Sequence, residues 1–294
     1  MKFSVIGGDA RFAHLRTMLV ADGHDLCEYA LEYAGRIAGS NTAANVREAV
    51  CGADCVILPL PVSDGRGNVN APFSGHMVSL SEVFAAVDPV NTLICGGKFN
   101  EEERSSADGL NLRVADYYER EDFTIWNAVA TVEATIELLL RERESMLRQA
   151  SVLVIGYGRI GKLLAASLKA LGAHTAVSAR KPGDLAWIAA QGFQVCDTGV
   201  LEGQLRGFEI IVNTVPAPVL NEALLNGLDS DVLLVDLASK PGGIDFAAAE
   251  RLGLKTIWAL GLPAASVPKS AGAFVRDAVY KIVKELNEED GKNS

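Results

Sequence analysis

The run Gly156-Tyr157-Gly158-Arg159-Ile160-Gly161 limits what this chain can fold into more than any other stretch. It follows the apolar residues Val152-Leu153-Val154-Ile155 and opens a helical pattern over 159–171, which is the strand-to-helix context that gives such a motif meaning. There, Gly156 permits a tight turn, Gly158 lets the backbone approach a pyrophosphate, and Gly161 lets helix and strand pack closely. The helix N-terminus then presents free N–H groups to the anion. A dinucleotide site on a parallel α/β sheet is expected, with a glycine-rich turn that binds no nucleotide as the plain structural alternative.

Short apolar strands alternate with amphipathic stretches twice over. The first half reads as strand 2–7, helix 10–22, strand 25–30, helix 44–51, strand 54–60, helix 79–87, strand 91–96, a short helix near 100–107 and strand 111–116. A long helical segment follows over 123–148, with Asp122 as its cap and Val129, Val132, Ile136, Leu139 and Leu140 at helical spacing. The second half reads as strand 151–155, helix 159–171, strand 174–178, helix 183–191 and strand 193–196, then strand 208–215, helix 218–226, and strands 232–238 and 255–260. A helix near 268–286 and a polar tail over 287–294, expected to fray, end the chain. Runs such as Cys55-Val56-Ile57-Leu58 and Thr92-Leu93-Ile94-Cys95 suit parallel strands covered on both faces.

The expected fold class is therefore α/β with two parallel-sheet domains. Residues 1–122 form a flavodoxin-like substrate domain, 123–150 a bridging helix, 151–265 a Rossmann domain, and 266–294 a helix crossing back to the N-terminal domain. Ligands in such folds bind at the carboxyl ends of the strands, here in a cleft expected between the domains.

Composition removes other classes. With 294 residues, 49% hydrophobic and 22% charged, the chain can bury two cores and is not disordered. Its 27 Lys+Arg against 37 Asp+Glu, a net charge of −10, argue against a phosphate-backbone binder. The most apolar stretch, Ala128–Leu140, carries Glu133 and Glu137 and does not read as a membrane span. The N-terminus reads as a first strand and not as a secretory signal. Cys27, Cys51, Cys55, Cys95 and Cys196 include no C-x-x-C, and His14, His24, His76 and His174 are scattered. Buried, reduced thiols in a cytoplasmic protein without a metal site are expected.

The end of the second Rossmann strand selects the cofactor. An NAD site places Asp or Glu there for the ribose hydroxyls. This chain has Ser178-Ala179-Arg180-Lys181, with no acid until Asp184. Two cations and a hydroxyl suit a 2′-phosphate, so NADP is expected, with NAD possible. Asn213-Thr214-Val215-Pro216, Leu237-Ala238-Ser239-Lys240 and Gly261-Leu262-Pro263 each turn polar at a strand's end, and three such edges on one sheet favour a site. In the N-terminal half, Gly7-Gly8 followed by Arg11 lacks a third glycine but suits a carboxylate. The long loop after Pro59, which includes Arg66, reads as functional or mobile.

The sequence resembles the A subunit of bacterial dipicolinate synthase over nearly its whole length. The resemblance rests on Val5-Ile6-Gly7-Gly8-Asp9-Ala10-Arg11, Asn127 with Thr131-Val132-Glu133-Ala134-Thr135-Ile136, and Asn213-Thr214-Val215-Pro216. It extends through the block Asp236-Leu237-Ala238-Ser239-Lys240-Pro241-Gly242-Gly243-Ile244-Asp245-Phe246, Gly261-Leu262-Pro263, and Val267-Pro268-Lys269-Ser270-Ala271-Gly272. Ala134 and Ala264 stand where the family often has Gly, and 31–45 and 61–78 match loosely.

The resemblance implies NADP-dependent oxidation of a dihydrodipicolinate to pyridine-2,6-dicarboxylate, in the mother cell of a sporulating bacterium. A B subunit is the implied partner, with self-association in addition. A dianionic substrate needs cations: Arg11, Lys240 and Lys269 are the candidates, with Ser239, Ser270, Asn127 and Thr131 as neutral donors. Glu133, Lys269 and Asn127 are the candidate catalytic groups, Glu133 as base or as an orienter of a lysine, or else a plain core-boundary ion pair. Arg11 and Lys269 are expected to hold the two carboxylates from the two domains. Two other readings stay open: a 2-hydroxyacid or amino-acid dehydrogenase of the same architecture, and a non-catalytic NADP-binding regulatory subunit.

Overall fold

In β1 (Lys2–Ile6), Phe3 and Val5 bury into one hydrophobic core and Ile6 into another, so the strand is covered on both faces. It belongs to a computed structural model that describes residues 1–292. The chain forms two units, one built from residues 1–127 and from 263 onward, the other from 128–262.

In the first unit, β1 is followed by α1 (Ala10–Ala21), β2 (Asp25–Tyr29), β3 (Ser40–Thr42), α2 (Val46–Val50) and β4 (Cys55–Ile57). Then come α3 (Leu80–Ala86), β5 (Leu93–Gly96), α4 (Glu101–Gly109) and β6 (Arg113–Asp116). All neighbours pair in parallel, in the order β3-β2-β1-β4-β5-β6. The five strands expected from the sequence do take the flavodoxin-like order, 2-1-3-4-5 when β3 is left out. The additional β3 carries no apolar signature because it is a short, largely exposed edge strand. It is tied down by Thr42 Oγ1, which donates to Glu28 Oε1 at 3.4 Å. Glu28 itself is buried and pairs with buried Arg16 at 2.8 Å, and Arg16 donates further to the carbonyls of Ala34 and Gly35.

Helix α5 (Glu121–Glu142) starts two residues earlier and ends six residues earlier than the periodicity predicts. Asp122 is not its cap. It lies in the first turn, where Arg120 and then Lys281 hold its carboxyl well below the usual range. By length and apolarity α5 could cross a membrane, but 56% of its most apolar window is buried inside the protein.

The second unit runs through β7 (Ser151–Ile155), α6 (Arg159–Ala170), β8 (His174–Ala179), α7 (Pro182–Ala190) and β9 (Gln194–Asp197). It continues with β10 (Ile210–Asn213), α8 (Glu222–Leu225), β11 (Leu233–Asp236), α9 (Phe246–Arg251) and β12 (Lys255–Trp258). Its parallel order β12-β11-β10-β7-β8-β9 is the doubly wound Rossmann arrangement, with the switch point between β7 and β10. Val152 and Val154 bury on one face of β7, Leu153 and Ile155 on the other. Two helices differ from expectation. The helix expected over 218–226 shrinks to α8 because Leu220 bridges to Ile244 in parallel and stays extended. The unforeseen α9 is capped by Asp245, whose Oδ1 accepts from Ala248 N at 3.0 Å.

After α10 (Leu262–Ser266), α11 (Pro268–Lys292) packs along α1. It continues beyond the expected end at 286; of the tail expected to fray, residues 293 and 294 lie outside the described residues. The crossing is set by Gly272, where a Cβ would stand 2.5 Å from Arg11 O and 3.2 Å from Leu15 N. Asp22 fastens the same pair of helices, accepting from Tyr280 Oη at 2.9 Å and pairing with Arg276 at 3.4 Å. Gly272→Ala is therefore expected to cost about 1–3 kcal/mol, because backbone cannot yield to the added methyl. Urea denaturation checks this, and an unchanged midpoint would contradict the packing described.

Candidate functional site

The carboxyl edge of the second sheet gathers the ends of β7, β8, β10 and β11 around the switch point. Gly156 has φ +101, and a Cβ there would strike Thr214. A Cβ at Gly161 would strike the Gly156 carbonyl. Gly158 differs from both: it has ordinary extended backbone, φ −82 and ψ −166, and a Cβ would meet nothing within 4 Å. As the N-cap of α6 it supplies no side-chain acceptor, and the space in front of its own Cα, at the start of that helix, is open. Such a cradle fits a pyrophosphate. Arg159 is exposed and Ile160 half-buried beside it.

Tyr157 contributes only backbone to this turn. Its ring is buried, its hydroxyl hydrogen-bonds Gln191 Oε1 at 3.0 Å, and Lys162 Nζ lies 5.0 Å from the ring centroid. Ser178 is likewise removed from the expected phosphate-binding group. It is fully buried in β8, and its Oγ accepts from Thr198 Oγ1 at 2.9 Å. Arg180 and Lys181 follow β8 directly, are exposed, and make no ion pair among the described residues.

The polar ends of β10 and β11 prove to be each other's partners. Asn213 and Asp236 are register neighbours and both fully buried. Asp236 Oδ1 accepts from Asn213 Nδ2 at 2.8 Å and Ala238 N at 2.9 Å, while Oδ2 accepts from Gly243 N at 2.7 Å and Ile244 N at 3.3 Å. Asn213 also donates to Val215 O and accepts from Val215 N, so both of its N–H donors are used within the fold. Thr214 Oγ1 donates its O–H to Ile155 O at 2.9 Å. Leu237 and Ala238 are buried, and Ala238 O accepts from Trp258 Nε1 at 2.9 Å. Val215 is half-buried, whereas Pro216, Ser239, Lys240 and Gly261 are exposed and Leu262 is half-buried. On α5, Thr131 is buried, whereas Glu133 is exposed and makes no ion pair among the described residues.

In the first unit the sequence expectations change more. Arg11 is buried and spent within the fold, bidentate on Asp9 at 2.7 Å and 3.0 Å and donating to Leu60 O at 2.6 Å. Asp9 also accepts from Arg11 N, capping α1. The Gly7-Gly8 amides are not free for a carboxylate, since Gly7 N donates to Tyr29 O and Gly8 N to Asn70 O. Asn70 belongs to the loop after β4, which is ordered by bridges Ser63–Val69 and Asn68–Ser79. Arg66 is exposed there, its amide on Asp64. Asn127 is half-buried, Pro263 buried, and Lys269 and Ser270 exposed in the first turn of α11. Of the five free cysteines, Cys51 is exposed. Among the described residues no cluster of three His, Cys, Asp or Glu is placed to hold a metal.

Together these features define a two-domain α/β protein whose second domain is of the NAD(P)-binding kind. Residues 145–249 match a family described as putative NAD(P)-binding, and residues 2–118 match the N-terminal domain of the dipicolinate synthase A subunit. The A subunit of dipicolinate synthase from Bacillus subtilis (strain 168) is 32% identical over 293 residues, 99% of each chain. The crystal structure of the Bacillus subtilis protein matches with a TM-score of 0.86 at 31% identity, over 98% of this chain and 97% of that one. Its counterpart from Bacillus halodurans matches with a TM-score of 0.86 at 29% identity, over 96% and 97%. The chain belongs to the family of dipicolinate synthase A subunits.

Proposed function

We propose that this chain is the NADP-dependent oxidoreductase subunit that converts a dihydropyridine-2,6-dicarboxylate to pyridine-2,6-dicarboxylate, partnered by a B subunit, in the mother cell of a sporulating bacterium. The observation that carries the reading is the open face of Gly158 at the start of α6, in a chain related over 99% of its length to a dipicolinate synthase A subunit. When bound, NADP⁺ would supply the hydride acceptor: one ring carbon would lose hydride and a neighbouring carbon a proton, with aromatisation driving the change. Little acid–base power is then required of the protein, which accords with an exposed Glu133 as proton acceptor. The turn at Gly156–Gly161 holds the pyrophosphate, and Arg180 with Lys181 receives the 2′-phosphate. Lys240 beside Ser239, and Lys269 beside Ser270, present exposed cations and hydroxyls for carboxylates, with Asn127 and Thr131 as neutral donors.

Assaying the chain by itself and mixed with a B subunit, following dipicolinate formation with NADP⁺, tests this reading. Absence of product from the mixture overturns it. Arg180→Ala is expected to weaken NADP⁺ roughly ten- to a hundredfold and leave NAD⁺ nearly unchanged, because a charge-assisted contact to phosphate is lost. Equal losses in parallel titrations would take Arg180 out of the phosphate site.

A further inference from the structure

We infer that Lys98, at the carboxyl edge of the first sheet, binds a carboxylate of the pyridine-dicarboxylate substrate, an assignment that rests on the function proposed above. Lys98 has φ 63, the left-handed region that glycine occupies freely and L-residues avoid. It follows Gly96 and Gly97 at the end of β5. Its conformation is fixed from outside. Asp116 Oδ1 accepts from Lys98 N at 2.9 Å and Oδ2 from Phe99 N at 2.9 Å. The same carboxylate accepts from Tyr118 N at 2.8 Å and Arg104 Nη2 at 2.8 Å, which clamps it. A glycine at 98 would satisfy both amide bonds without strain, so the backbone gives no reason for a lysine.

Other left-handed residues have plainer reasons. Ala30 buries its methyl, and Asn111 is a residue type that tolerates the region. Gln149, also exposed, differs in position: it lies before β7, at the amino end of the other sheet and away from any ligand edge, its backbone N–H donating to Gly172 O. Lys98 buries nothing: its side chain is exposed and makes no hydrogen bond or ion pair among the described residues. The position is also the one where ligands gather. Gly97 N donates to Pro59 O and Val62 N to Gly97 O, tying the end of β5 to the end of β4, the strand that borders this sheet's switch point between β1 and β4. Arg11, on the same edge, is consumed by Asp9, which leaves Lys98 as an unpaired cation there. Strain maintained against an easier residue, with a free charge as its only product, marks a binding residue.

The test titrates the full chain with pyridine-2,6-dicarboxylate and with NADP⁺ by calorimetry, alongside thermal melts. Lys98→Met and Lys98→Gly are expected to weaken the dicarboxylate roughly ten- to a hundredfold with NADP⁺ affinity unchanged. Lys98→Arg should restore most of the binding, and Lys98→Gly should melt at or above the wild-type temperature. Wild-type dicarboxylate affinity in the Met and Gly variants overturns the assignment alone. A lower melting temperature for Lys98→Gly together with weaker binding makes Lys98 a structural residue and also overturns it. Failure of the wild-type chain to bind the dicarboxylate overturns the function reading, and the assignment with it.

Discussion

Gly158→Val is expected to give a folded chain that takes up neither NADP⁺ nor NAD⁺. The fold has no reason to object: φ −82 and ψ −166 suit a β-branched residue, and the new Cβ meets no atom within 4 Å. What it does fill is the space in front of the α6 amides, where a pyrophosphate must come within hydrogen-bond distance of backbone. A loss of more than about a hundredfold is expected for both cofactors, about 2.7 kcal/mol or more. The neighbouring glycines provide the contrast. Gly156→Ala drives a methyl into Thr214 from a positive φ, and Gly161→Ala drives one into the Gly156 carbonyl, so both should lower the melting temperature. Circular dichroism and cofactor titration on the three variants separate the outcomes. A folded Gly158→Val chain with an unchanged titration curve would remove the nucleotide from this turn.

That division of one motif into two packing glycines and one ligand-facing glycine shows how far sequence carried. Spacing and context located the turn, and continuous apolar runs located nearly every strand, because a parallel strand buried on both faces leaves an unmistakable run of Val, Ile and Leu. The edge strand Ser40-Asn41-Thr42 left none, since its pairing is backbone and its anchor is the carboxylate of Glu28 on the neighbouring strand. Direction was the other missing quantity. Ser178 lies near the end of β8 and Arg180 just past it, yet Ser178 turns inward to Thr198 while Arg180 reaches solvent. Arg11 had the right charge at the right strand end, but Asp9 two residues earlier takes up its guanidinium. Partner choice of that sort depends on side-chain geometry, which spacing alone does not encode.

Asp236→Ala is expected to do the greatest damage to the architecture of the cofactor edge. The carboxylate is fully buried and accepts from Asn213 Nδ2, Ala238 N, Gly243 N and Ile244 N, so its removal strands four donors where water does not reach. Each orphaned donor costs about 1–3 kcal/mol, partly shared as the loop relaxes, which sets the expected loss at about 3–5 kcal/mol. Against a domain stability of about 5–15 kcal/mol, the variant should melt far below the parent or fail to fold. Asp236→Asn keeps the shape and one acceptor oxygen, so it should fall between the two and remain soluble enough to titrate. Its cofactor affinity should drop although Gly158 is intact, because Leu237–Gly243 then loses the anchor that fixes it along the carboxyl edge. Wild-type melting by Asp236→Ala in a denaturant series would mean that the loop is held by something else. The Gly242-Gly243 pair has its reason here as well: a Cβ at Gly243 would collide with the Asn213 amide and lie 2.8 Å from Val215 O, so the carboxylate can reach the backbone only where side chains are absent.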